Sequence, residues 1–143
     1  MALVCFVEAI GREKKMPSNP KLFLHGTPYE VCFSTEHGLP FVATLYMRVI
    51  IYGILAAAQA LYPVTLCHFV VMANHIHLLI VVNDPADLPR FICYLKTELS
   101  HAVNRLCGWT GRTLFVDSYD SPAILSPEKF RERIEYLYMN PVE

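Results

Sequence analysis

Several features that would assign this 143-residue sequence to a class at once are missing from it. There is no basic excess: 12 Lys and Arg stand against 13 Asp and Glu, a formal net charge of −1. A protein that coats nucleic acid by charge alone is excluded, and any such role has to come from a local site. There is no CxxC pair. The five cysteines, Cys5, Cys32, Cys67, Cys93 and Cys107, are odd in number and scattered. That pattern argues against a zinc module or a secreted disulfide framework, and for reduced thiols acting as small hydrophobes. No hydrophobic run is long enough to cross a bilayer: "VIIYGILAAAQALY", after Arg48, stops at 14 residues and reads as a buried helix. "MALVCFVEAIG" lacks the basic start of a signal peptide. Repeats and low-complexity tracts are absent. The expectation is a cytoplasmic protein with no membrane partner.

What is present is a well-fed core. The chain is 54% hydrophobic and 17% charged, enough for one globular domain. Residues 1–26, with "REKKMPSNPK", read as a loose N-terminal arm, and residues 27–143 as the working domain. "PYEVCFST" is the first strand, closed by the turn signal "EHG". "TLYMRVIIYGILAAAQALY" (44–62) is a helix stopped by Pro63. "VTLCHFVVM" and "HIHLLIVV" are strands joined by a two-residue turn, Ala73–Asn74. A second helix starts at Asp84–Pro85 and runs to Gly108 as its terminator. "RTLFVDSYDSPAIL" (112–125) is a fourth, irregular strand. Ser126 then caps a third helix, with Pro127 in its first position. The order β-α-β-β-α-β-α predicts an α+β ferredoxin-like split βαβ sandwich: an antiparallel sheet with helices on one face, plus a C-terminal helix. Such a fold hosts many functions, so function has to be argued from residues.

The residues that carry chemistry begin at "MANHIHLLIVVND". On a strand, i and i+2 share a face, so His75, His77, Leu79 and Val81 point one way. Ile76, Leu78, Ile80 and Val82 point the other. The isoleucine face belongs under the helices, and the histidine face should be the open side. Two imidazoles on one strand face, about 7 Å apart at Cβ, can converge on a divalent ion. The same pair can also be an ordinary hydrogen-bonded pair. At the other end, "FRERIEYLYMNPVE" places Tyr136 and Asn140 four apart on one helix face. Phe130, Ile134, Leu137 and Tyr138 offer apolar contact over the remaining faces. An amide oxygen suits Mg²⁺ or Mn²⁺, and Pro141 puts Asn140 in the last turn. The alternative is an amphipathic aromatic and a helix cap. Taken with the histidines, the tyrosine is a candidate covalent nucleophile, and the ion a polariser of a phosphoryl oxygen.

In these motifs the sequence resembles the histidine–hydrophobic–histidine (HUH) single-tyrosine transposases. "VMANHIHLLI" is similar to their histidine signature. "YLYMNPV" is similar to the Tyr-x-x-x-Asn-Pro-Val motif of REP-associated tyrosine transposases and their insertion-sequence relatives. "LPRFICYLKTELSHAVNR" and "LFVDSYDSPAILSPEKF" resemble the segments between, so the likeness spans roughly residues 27 to 143. It implies His75 and His77 as metal ligands, Asn140 as the third ligand and Tyr136 as the nucleophile. It also implies the ferredoxin-like core already read from the element order. The implied reaction cuts and rejoins single-stranded DNA at hairpin-marked element ends through a 5′-phosphotyrosine, with Mg²⁺ or Mn²⁺ and without a nucleotide cofactor. Relatives act as homodimers or as monomers.

Phosphate contacts are expected from among Lys96, Arg105, Arg112, Arg131 and Arg133, and base stacking from Tyr94; each has a solvated-face or core alternative. Because a histidine must be neutral to ligate, activity should fade as pH drops through about 6 to 7. Ala73 stands where relatives commonly have Pro, and the Trp and Arg often found ahead of "YD" are absent. Many relatives also continue past Asn-Pro-Val, whereas this chain stops at Glu143. That motivates an alternative, a catalytically inactive or domesticated hairpin-DNA-binding relative. A replication- or relaxase-type HUH endonuclease is the other alternative.

Overall fold

A computed structural model describes residues 26–41 and 44–139. The order is β1 (Pro28–Ser34), a short 3-10 turn (Glu36–Gly38), α1 (Leu45–Leu61), β2 (Val64–Val71), β3 (His75–Val82), α2 (Asp87–Cys107) and α3 (Pro127–Met139). The three strands form an antiparallel sheet in the order β1-β3-β2. This is the expected α+β, ferredoxin-like arrangement. Apart from Gly26, the expected arm lies outside the described residues.

Local chemistry sets most boundaries. The Thr44 hydroxyl accepts from the Met47 amide and starts α1, satisfying one of the amides a helix leaves orphaned at its start. Met47, Ile51, Leu55 and Ala58 then form its buried stripe. The start of α2 lies later than Asp84. Asp84 instead makes a turn, its carboxylate accepting from Ala86 N at 2.9 Å and its carbonyl from Asp87 N at 3.0 Å. The helix ends at Gly108, whose φ of 66° is the left-handed geometry that favours glycine. Between β2 and β3 the turn is Ala73–Asn74, closed by Met72 N donating to His75 O.

The core fills one face of the sheet. Ile76, Leu78, Ile80 and Val82 of β3 and Val31 and Phe33 of β1 pack under α1 and α2, against Ile51, Leu55, Phe91 and Leu95. Phe115 meets Phe33 and Phe41 edge to face, with centroids 5.2 and 5.4 Å away. The alternation read from the sequence therefore holds along β3.

Three expectations are corrected. The histidine face is not open along its length: α3 lies across it, and Leu79, Val70, Ile124 and Leu137 are buried there as a second small core. Phe130 and Ile134 pack against that cluster, so a helix stripe at 130, 134 and 137 meets an apolar patch on the strand. The fourth strand is not a regular strand. It touches β1 at isolated bridges, Tyr29–Ala123, Cys32–Asp120 and Thr35–Phe115. Between the last two bridges, two residues of β1 face four of the segment, so the extra backbone loops away from the ladder. The Lys96 ammonium donates to the carbonyls of Val116, Asp117 and Ser118 at 2.7, 3.1 and 3.2 Å, which satisfies the looped residues. Finally, the cysteines are not uniformly reduced. Cys32, Cys67 and Cys107 are free, but Cys93 is disulfide-bonded, since scattered spacing does not prevent the fold from pairing a thiol.

Candidate metal and nucleophile site

The site lies on the α3 side of the sheet and grows from the β1–β3 register. Cys32 pairs with His77, Glu30 with Leu79, and Ser34 with His75. Directly opposed residues share a face, so Glu30, Cys32, His75 and His77 project together. A bulge adds one more histidine to that face. The β2 register slips between Leu66 and His68, and one extra residue flips every side chain beyond it. Val64 and Leu66 therefore point with the main core, whereas His68 and Val70 point toward α3.

The two imidazoles of the HxH motif sit edge to face, 5.0 Å between centroids. His75 Nδ1 lies 2.7 Å from Asn74 Oδ1. An amide oxygen only accepts, so the hydrogen belongs on Nδ1 and the Nε2 lone pair is left over. Burial, and then the neighbouring His77, hold the His75 ring below the ordinary histidine range, which keeps it neutral and able to ligate. His77 is bracketed. Its Nε2 is 3.8 Å from Cys32 Sγ, and its Nδ1 is 3.4 Å from Glu30 Oε1. That approach is poorly aligned, and Nδ1 is buried without a hydrogen bond. Burial, then Asp120 and Glu30, push the Cys32 thiol up, so it stays protonated near neutral pH.

Glu30 reaches two elements. Its side chain is 8% exposed, with Oε1 beside His77 and Oε2 accepting from Arg133 Nε on α3 at 3.0 Å. The Arg133 guanidinium carbon in turn stands 5.7 Å from the centre of the Tyr136 ring. Tyr136 itself is 52% exposed. A continuous chain of contacts thus runs from the paired histidines through a carboxylate and an arginine to the tyrosine. Asn140, expected as the third ligand, lies outside the described residues. Among the described residues no cluster of three or more His, Cys, Asp and Glu is arranged to hold a metal. The donors that are described still fit a divalent ion. The His75 imidazole presents a spare Nε2, the His77 ring has an unpartnered buried Nδ1 and an Nε2 beside only the weak Cys32 thiol, and imidazole nitrogen is a common ligand of divalent ions.

The remaining candidates disperse. Lys96, Arg105 and Arg112 belong to α2 or the loop after it, on the opposite side of the sheet from α3. Lys96 serves the 116–118 carbonyls and stands over the Phe33 and Tyr119 rings. Arg112 stacks over Trp109 at 4.6 Å. Tyr94 packs beside Tyr62 against the main core. Of the two arginines on α3, Arg133 is paired with Glu30, and Arg131 is exposed at the rim of an apolar groove of about 640 Å³ formed with Pro28, Leu125 and Phe130. Tyr138 is 79% exposed and stacks on His68 at 5.9 Å. Sequence reasoning missed Glu30, Cys32 and His68. The only trace was alternation: a charged residue in "PYEVCFST" on the face opposite the main core.

Comparison with known proteins places this arrangement. The family profile described as "Transposase IS200 like" matches residues 41–126, more than half of the sequence, and the chain belongs to that family. The matched span includes both histidines and ends before Tyr136. No curated protein matches. Among solved structures, a REP-associated tyrosine transposase bound to a REP hairpin superposes with a TM-score of 0.73 at 17% identity, covering 89% of this chain and 73% of that one. A Deinococcus radiodurans R1 protein provisionally named a transposase gives 0.53 at 15% identity, covering 89% of this chain and all of its own. At such identities the likeness speaks for the fold. No helix among the described residues is long and apolar enough to cross a membrane.

Proposed function

We propose that this protein cuts and rejoins single-stranded DNA beside a hairpin, with Tyr136 as the covalent nucleophile. The carrying observation is the contact chain His77–Glu30–Arg133–Tyr136, which ties the nucleophile's helix to the histidine strand. The REP-associated relative of the same fold holds a hairpin, and this supports hairpin DNA as the substrate class here. Tyr136 Oη attacks the scissile phosphorus, the bond to the 3′ oxygen breaks, and that oxygen takes up a proton. The products are a 5′-phosphotyrosine and a free 3′-OH. Reversal of the same step with a second 3′-OH rejoins the strand. One phosphodiester is exchanged for another, so no nucleotide cofactor is required.

His75 and His77, with Asn140, are the residues to hold Mg²⁺ or Mn²⁺; when bound, such an ion polarises the phosphoryl oxygen and offsets charge developing on it. Tyr136 is 52% exposed, so an incoming strand can reach it. Arg131, exposed two residues before Arg133, is the α3 cation we assign to backbone phosphate.

End-labelled single-stranded DNA carrying a hairpin, incubated with MnCl₂ and run on a denaturing gel, tests the reading. A covalent protein–DNA band is expected from wild type and not from Tyr136→Phe or His75→Ala. Tight binding with no band in any of the three would replace the enzyme with a hairpin-binding relative that has lost its chemistry.

A further inference from the structure

We propose that Glu30 is the positioning residue of this site: its single buried carboxylate orients the His77 ring through Nδ1 and, through Arg133, seats the Tyr136 turn of α3 against the histidine strand. The inference rests on the ligand role proposed for the histidines.

A carboxylate on a side chain only 8% exposed in the middle of a strand is costly unless partners replace its water. Glu30 has two partners, and they belong to different elements. Oε2 takes the Arg133 Nε hydrogen at 3.0 Å. Arg133 lies three residues before Tyr136, so both stand on the same side of α3. Fixing the guanidinium therefore fixes the turn that carries the nucleophile. Oε1 faces His77 Nδ1 at 3.4 Å. An ionised carboxylate only accepts, so the ring hydrogen is drawn to Nδ1, the usual work of a carboxylate behind a ligating histidine; the Nε2 lone pair then faces the Cys32 thiol at 3.8 Å, a weak donor that an ion would displace.

Asn74 Oδ1 does the same for His75, facing its Nδ1 at 2.7 Å. Both rings then offer the same nitrogen. The His77–Glu30 pair stands at 3.4 Å, within ion-pair reach but short of an aligned hydrogen bond. A plain surface salt bridge would explain Arg133 but not a buried carboxylate whose second oxygen is turned to an imidazole.

The test uses wild type, Glu30→Gln and Arg133→Met, all checked for intact folding by denaturant unfolding. In the metal-free proteins, long-range ¹⁵N–¹H NMR reads the His77 tautomer, and hydrogen exchange reads the α3 amides. Titration calorimetry with MnCl₂ alone reads the ion. Wild type should show hydrogen on Nδ1. In Glu30→Gln the amide oxygen goes to Arg133 and its NH₂ group turns to His77, so the hydrogen should move to Nε2. Mn²⁺ affinity should then fall about 10–100-fold, as for loss of an outer-shell partner. Arg133→Met should speed α3 exchange while leaving the His77 tautomer in place.

An Nε2-protonated His77 in wild type overturns the proposal, whether or not the variant folds. So does a Glu30→Gln protein with unchanged tautomer and unchanged Mn²⁺ affinity. If wild type binds no Mn²⁺, the ligand reading fails instead, and the tautomer and exchange data still decide the role of Glu30.

Discussion

The two faces of β3 were built from one eight-residue strand, yet they have opposite uses. On one face Ile76, Leu78, Ile80 and Val82 are fully buried beneath α1 and α2. On the other, His75 and His77 are half-buried beside a carboxylate and a thiol, and only Leu79 is sealed. The first face has no polar group to satisfy and contributes burial free energy of about 25 cal/mol per Å² of apolar surface removed from water. The second gives up some of that in return for orientable lone pairs. It is stabilised by a second, smaller apolar patch that holds α3 down. The strand's alternation thus separates what keeps the protein folded from what lets it act, and mutations on the two faces should have separable consequences.

The largest stability effect should come from the first face. Phe91→Ala, in the main core, is expected to cost about 3–5 kcal/mol in urea unfolding while leaving Mn²⁺ affinity of the folded fraction intact. Leu137→Ala, in the small core, is expected to cost about 2–5 kcal/mol and also to speed exchange of the α3 amides. If it behaved like Phe91→Ala in every respect, α3 would not be a separately seated element. Ser126 Oγ accepts from Lys129 N at 3.2 Å, so Ser126→Ala should remove a cap worth about 1 kcal/mol, seen as a lower unfolding midpoint. The smallest effect concerns pH. The His75 ring is held below its ordinary value by burial and then by His77. The unfolded chain therefore takes up this proton near pH 6.5 and the folded one only at lower pH. The unfolded state binds more protons in that window, so stability falls as pH drops below about 6.5 and is level above it for this group. His75→Gln should flatten that acid slope in urea midpoints measured across the window.

The same division explains what was legible in the sequence. Periodic apolar residues under selection for burial announce themselves, so α1, β2, β3 and the face of β3 that enters the core could be read directly. The HxH pair could be read because two imidazoles on one strand face are conspicuous. Glu30 could not, since its importance depends on cross-strand pairing with the histidine strand and on an arginine about a hundred positions away. The bulge in "VTLCHFVV" was hidden for a similar reason: nothing local marks the extra residue that turns His68 to the site face. Lys96 looked like a phosphate contact because charge on a helix is normally solvent-facing, whereas here it satisfies carbonyls of a segment that fails to pair. The cover of α3 over Leu79 needed the tertiary path of the chain.

The measurement that tests the central claim most directly is to find the covalent bond itself. A hairpin-bearing single-stranded DNA nicked so that the cut fragment diffuses away would trap the adduct in the presence of MnCl₂. Trypsin cleaves after Arg133 and leaves Tyr136 and Tyr138 in one peptide, and fragmentation in a mass spectrometer separates the two. The account predicts the phosphonucleotide on Tyr136, with none on the Tyr138 that stacks against His68. A nucleotide carried by Tyr138, or no modified peptide from a protein that binds the DNA and the ion, would contradict it.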